Sequence, residues 1–244
     1  MSIRIPFIAG NWKMFKTKKE ALEFAEEFKK LYRNTDIKTA ICAPFTQLDT
    51  LKEAFAGTNI GVGAQNVYFE DEGAYTGEIS VEMLKEIGVE YCIVGHSERR
   101  QYFSETDETV NKKVKKLFSE SEIIPILCVG ENLEQREAGK EAEIDLLGLS
   151  GTDVSKLVIA YEPVWAIGTG KTASPAQAEE MCELIRKNIE ELYDEDICDK
   201  VTIQYGGSVK PENATEIMNM DEIDGALVGG ASLVPEKFMG IINF

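Results

Sequence analysis

Imidazole is nearly absent from this chain: among 244 residues there is one histidine, His96. A zinc site built from several histidines is excluded. The five cysteines, Cys42, Cys92, Cys128, Cys182 and Cys198, hold no C-x-x-C pair that would replace it. An odd, scattered set of cysteines argues against a disulfide framework and reads as the reduced core thiols of a cytosolic protein. No run approaches ~20 uncharged apolar residues, so no membrane span is expected. The stretch Met1–Lys13 turns polar too quickly for a signal peptide. Basic residues are also scarce: 26 Lys and Arg stand against 43 Asp and Glu, a formal net charge of −17. That balance disfavours nucleic acid and anionic membranes, whose binding needs basic surface. It also means that an anionic substrate must be held by local groups against the field of the whole molecule.

What the chain does have is regular alternation. Short β-branched apolar runs occur at Ile5–Ala9, Thr39–Ala43, Ile60–Ala64, Tyr91–Val94, Ile123–Val129, Leu157–Tyr161, Val201–Tyr205 and Ala226–Val228. They are too continuous for strands wet on one face and predict parallel strands buried on both. Amphipathic stretches lie between them. Thr17-Lys-Lys-Glu20 is a capping box that opens an Ala21, Leu22, Ala25, Phe28 stripe. Ser174-Pro175-Ala-Gln177 supplies a cap, a proline at the first helical position and a box partner, with Met181, Leu184 and Ile185 as the apolar face. Gly88 is a helix stop. Eight strands in this length leave roughly 30 residues per unit, the size of one βαβ crossover. Strict alternation allows an open doubly wound sheet or a closed barrel. The first strand leads into Gly10-Asn11-Trp12-Lys13 rather than a G-x-G-x-x-G turn, which favours an eight-stranded barrel with its active residues at strand C-termini.

Three motifs are decoys. Gly168-Thr-Gly170-Lys171-Thr172 resembles the end of a P-loop, but the earlier glycine the loop requires is Trp165. Asn213-Ala-Thr215 is a glycosylation sequon that has no meaning without secretion. Ser97 stands beside His96, yet neighbours on an extended segment point apart and no G-x-S-x-G elbow exists, so a serine hydrolase is not expected. The acidic excess reads as solvated helix surface.

The residues that follow the strands carry the chemistry. They include Asn11 and Lys13, then Gly95-His96-Ser97-Glu98, then Glu162, Gly206-Gly207-Ser208 and Gly229-Gly230. In a barrel, a carboxylate, an imidazole and an ammonium converge on one mouth. The glycines after the seventh and eighth strands fall where barrels build phosphate sites, because backbone N–H groups can approach an anion there without an intervening Cβ.

The stretches Asn11-Trp12-Lys13, Tyr75-Thr76-Gly77-Glu78, Val94-Gly-His96-Ser-Glu98-Arg99, Tyr161–Lys171, Tyr205-Gly-Gly-Ser208 and Leu227–Ser232 resemble the triosephosphate isomerase family, in its order and along essentially the whole chain. One departure is the region from Ala138-Gly139-Lys140 to about Val158, which is shorter than the family's pattern. The resemblance implies an α/β protein that is one (β/α)8 TIM barrel over residues 1–244, with eight parallel strands ringed by helices. It implies interconversion of dihydroxyacetone phosphate and D-glyceraldehyde 3-phosphate through an enediol(ate), in glycolysis and gluconeogenesis.

Under that resemblance Glu162 is the base. His96 is a neutral imidazole that serves the two oxygens, as in triosephosphate isomerase generally. Lys13 supplies positive charge and Asn11 orients it. Gly168, Ser208, Gly229 and Gly230 bind the phosphate. Glu98 either partners Lys13 or makes a merely structural ion pair, and Cys128 packs near the base. Residues 163–173 form a lid whose closure brings the Gly168 N–H to the phosphate and protects the enediolate from losing it. Residues 65–77 exceed an ordinary βα loop of about 2–6 residues. In the family this loop enters a neighbouring subunit, with Thr76 near Asn11 of the partner subunit and Lys13 of the partner subunit, so a homodimer is expected. Neither a metal nor an organic cofactor is called for. The alternatives are another phosphate-binding barrel isomerase or lyase acting on a small phosphosugar, or a phosphosugar-binding barrel without turnover.

Overall fold

A computed structural model describes residues 4–33, 36–137, 146–166 and 173–244. The strands are β1 (Phe7–Asn11), β2 (Lys38–Ala43), β3 (Ile60–Ala64), β4 (Tyr91–Val94), β5 (Ile124–Val129), β6 (Val158–Tyr161), β7 (Thr202–Tyr205) and β8 (Gly225–Val228). Each pairs in parallel with the next, and β8 closes onto β1. The helices are α1 (Lys18–Leu31), α2 (Leu48–Ala54), α3 (Val81–Ile87), α4 (Ser97–Phe103), α5 (Asp107–Glu120), α6 (Leu133–Glu137), α7 (Gly151–Val154), α8 (Pro175–Leu192), α9 (Glu195–Cys198), α10 (Pro211–Met218) and α11 (Pro235–Ile242). This is the (β/α)8 TIM barrel.

Two apolar regions hold it. Inside the barrel, small residues (Ala9, Ala40, Ala160) and larger ones (Phe7, Ile126, Leu227) together fill the bore. Between barrel and helices lies a larger core that includes Trp12, Phe24, Phe28, Leu51 and Phe238. Among the described residues no helix is long and apolar enough to cross a membrane.

The local signals act as their chemistry predicts. Thr17 and Glu20 form the reciprocal capping box of α1, and Ser174 and Gln177 that of α8, with Pro175 at its start. Gly88 ends α3 with φ +79, the left-handed conformation that lacks a steric penalty only for glycine. Two expectations need correction. The buried face of α1 is Ala21, Phe24, Ala25 and Phe28; Leu22 is 44% exposed, because Phe24 completes the face around Trp12 and Phe28. The first strand is Phe7–Asn11, two residues later than Ile5–Ala9. Pro6 has no N–H for the ladder, and the pairing Phe7↔Lys38 through Asn11↔Cys42 keeps Gly10 and Asn11 within it. Asn11 is thus the last residue of the strand rather than part of the loop after it.

Candidate active site

A cavity of about 750 Å³ opens at the C-terminal end of the barrel. Asn11, Lys13, His96, Glu162, Ser208, Gly229 and Gly230 all line it, although they come from β1, β4, β6, β7 and β8 or the turns that follow them. The sequence-predicted groups therefore meet in one place. Gly168 lies outside the described residues, as do the other lid residues from 167 to 172 and the start of the shortened region, residues 138–145; the lid's first hinge, Pro163-Val164-Trp165, is described. Pro163, Ala166 and Ala173, near the two ends of that lid segment, line the cavity.

Lys13 takes φ +51, rare for a residue with a Cβ. The Asn11 side-chain oxygen accepts its N–H at 2.9 Å, which holds the turn, and also receives Gln65 Nε2 at 3.3 Å. The Lys13 Nζ donates to Glu98 Oε1 at 2.7 Å. With both side chains a third or more exposed, such a pair is worth less than ~1 kcal/mol of stability.

His96 caps α4. The Glu98 N–H donates to its Nδ1 at 3.2 Å, so that nitrogen carries a lone pair and the ring proton sits on Nε2. Nε2 lies 3.1 Å from Glu162 Oε1. Glu162, only 3% exposed, also accepts the Ser97 N–H at 2.9 Å and the Ser97 hydroxyl at 2.8 Å. The sequence reading missed this use of Ser97. A short helical turn from Ser97 to Arg100 is compatible with the sequence, and the structure places α4 there, which brings both neighbours onto one carboxylate. The S/T-type N-cap signal is absent here because the imidazole itself does the capping.

Gly130 was also missed. A Cβ there would lie 1.9 Å from the Glu162 carbonyl oxygen, so the end of β5 can pass beneath Glu162 only without a side chain. A Cβ at Gly207 would collide with the Tyr205 hydroxyl at 2.1 Å. By contrast a Cβ at Gly230 would meet nothing within 4 Å, and one at Gly229 would make only an ordinary contact with Lys13 Cε. The first two glycines are demanded by packing; the last two face open cavity. Cys128 packs beneath the site as expected, and burial followed by the nearby Glu162 carboxylate pushes its thiol well above the ordinary value.

Beside this cavity a second cluster anchors the first hinge. Tyr161 donates to Glu131 Oε1 at 2.9 Å, as does Arg136 Nη1, and the Arg136 guanidinium sits 4.9 Å over the Trp165 ring. The Trp165 backbone N–H donates to the Glu131 backbone carbonyl at 3.2 Å.

Comparison with known proteins agrees with the geometry. A family model described as triosephosphate isomerase matches residues 6–244. The triosephosphate isomerase of Alkaliphilus metalliredigens is 56% identical over 249 aligned positions, covering 99% of this chain and 100% of that protein. Those of Lactobacillus delbrueckii subsp. lactis and Lactobacillus acidophilus are 55% and 54% identical, each covering 99% of this chain and 98% of its own length. The chain belongs to the triosephosphate isomerase family.

Proposed function

We propose that Glu162, His96, Lys13 and Asn11 carry out the interconversion of dihydroxyacetone phosphate and D-glyceraldehyde 3-phosphate, the glycolytic reaction of the family, in the cavity at the barrel mouth. The observation that supports these roles is the convergence of a buried carboxylate, an imidazole Nε2–H and an ammonium on a cavity flanked by Ser208, Gly229 and Gly230. Glu162 removes a proton from the carbon beside the carbonyl. The C–H electrons form the enediolate double bond, and the carbonyl electrons move to oxygen. The Nε2–H of His96 and the Lys13 ammonium meet that developing charge. The His96 ring passes the proton of the neighbouring hydroxyl to the former carbonyl oxygen, and Glu162 returns the carbon proton to the former carbonyl carbon, which leaves the new carbonyl on the carbon first deprotonated.

Ser97 holds the carboxylate through its N–H and hydroxyl and gives it up when Glu162 turns to the substrate carbon. Ser208, Gly229, Gly230 and Gly168 supply the phosphate donors, the last of them through closure of the 163–173 lid. Nothing favours another barrel isomerase or lyase. Incubating the protein with D-glyceraldehyde 3-phosphate and following dihydroxyacetone phosphate tests this reading. Conversion without added metal or organic cofactor is expected; none would contradict it.

Two further parts of the reading concern assembly and location. The 65–77 loop carries a Tyr68, Phe69 and Tyr75 stack and an exposed Thr76. Met14, Phe15, Tyr102 and Phe103 are exposed on segments that follow β1 and β4, with Met14 at 93%. Apolar exposure of this extent fits a protein interface, and the occupant is a second copy of the chain. Five buried free thiols fit a reducing, cytoplasmic setting.

A further inference from the structure

We propose that Lys210 and Lys237 form a cationic rim that draws the phosphorylated substrate into a mouth the rest of the protein repels it from. The inference rests on the reading of this cavity as the triose phosphate site. A phosphate monoester carries about −1.5 to −2 charges at neutral pH, and it approaches a molecule of net charge −17. Within the cavity one cation, Lys13, is already paired with Glu98 at 2.7 Å and contributes little field at a distance. Glu162 and Glu212 add negative charge to the lining, and Glu236 neighbours Lys237 on α11.

Among the described residues, the other cations of the lining are Lys210, immediately before α10, and Lys237, in the first turn of α11. Both are exposed, and among the described residues neither has an ion-pair partner. They stand on the flank of Gly207, Ser208, Gly229 and Gly230, where the phosphate is to be received. The rim is held by packing: Gly240 of α11 lies so close to Pro211 that a Cβ there would come within 3.2 Å of the proline ring. The backbone that carries two unpaired lysines is thus held on one side of the entrance, next to the donors they feed. Lysines that serve only as solvated surface would have no effect on entry that depends on where they sit.

The test compares kcat/KM for D-glyceraldehyde 3-phosphate over ionic strengths from about 10 to 300 mM, where the Debye length shortens from roughly 30 to under 10 Å. The proteins are the parent, the K210Q/K237Q pair, the K210R/K237R pair, and K29Q/K30Q as a control. Lys29 and Lys30 lie in the last turn of α1, at the far end of the barrel, and their loss changes net charge equally. K210Q/K237Q is expected to lose about five- to tenfold in kcat/KM at the lowest ionic strength and less than about twofold at the highest, with kcat unchanged. The arginine pair should restore the parent's salt dependence, and the distal pair should keep it. Equal behaviour of the rim and distal pairs overturns the proposal, as does a loss that persists at high salt or appears in kcat. In either case a parent that turns over normally leaves the site reading intact; a parent without turnover overturns both.

Discussion

The backbone N–H of Glu98 donates to Nδ1 of His96 across 3.2 Å, so the first turn of α4 fixes which ring nitrogen holds the proton. The tautomer of His96 is thereby set by a helix cap rather than by a second side chain. It also leaves Nε2–H directed to the side where Glu162 lies.

Because His96 is the only histidine, its 15N spectrum contains one pair of ring signals. At neutral pH they should show the Nε2–H tautomer, with Nδ1 unprotonated and hydrogen-bonded. A spectrum of the Nδ1–H tautomer would remove the capping geometry from the account.

Glu162→Gln keeps the shape and the Ser97 contacts while taking away the base. Its kcat should fall by about 10²- to 10⁴-fold, with affinity for inorganic phosphate changed by less than about twofold. Steady-state kinetics and a phosphate titration measure the two. A loss under about tenfold would assign proton transfer to another group.

Gly130 and Gly230 separate packing from binding. Gly130→Ala places a methyl 1.9 Å from the Glu162 carbonyl oxygen. It should cost about 1–3 kcal/mol, several degrees in Tm, and most of the activity through displacement of Glu162. Gly230→Ala meets open space, so its Tm should match the parent while inorganic phosphate binds more weakly. Calorimetry paired with phosphate titration reads both; equal melting temperatures for the two variants would contradict the assignment.

Replacing residues 68–77 with a short Gly/Ser connector should give a folded monomer with little activity, since the barrel core lies elsewhere. Sedimentation of a parent that is already monomeric and fully active would sink the dimer reading.

Much of this was legible in the chain. Strands buried on both faces announce themselves as continuous β-branched runs, and seven of the eight fall within about a residue of where those runs lie. Thr17, Ser174 and Gly88 act through local chemistry that needs no tertiary context. Leu22 was misplaced because two faces of α1 carry apolar residues, and only the position of Trp12 decides between them. Ser97, Gly130 and Gln65 stayed hidden for a related reason. Each acts on a residue far away in sequence, Ser97 and Gly130 on Glu162 and Gln65 on Asn11, across strands whose register no local pattern reveals. The Lys13–Glu98 pairing, left open by the sequence, needed the side-by-side approach of the turns after β1 and β4.

The central claim is that one carboxylate moves a proton between adjacent carbons of a triose phosphate. Incubating the protein with dihydroxyacetone phosphate in D2O and following carbon-bound deuterium by NMR tests it directly. The account predicts deuterium at the carbon that loses and regains the proton, appearing with the parent and suppressed in Glu162→Gln. Isomerisation, or deuterium incorporation, at the parent's rate in Glu162→Gln would contradict it.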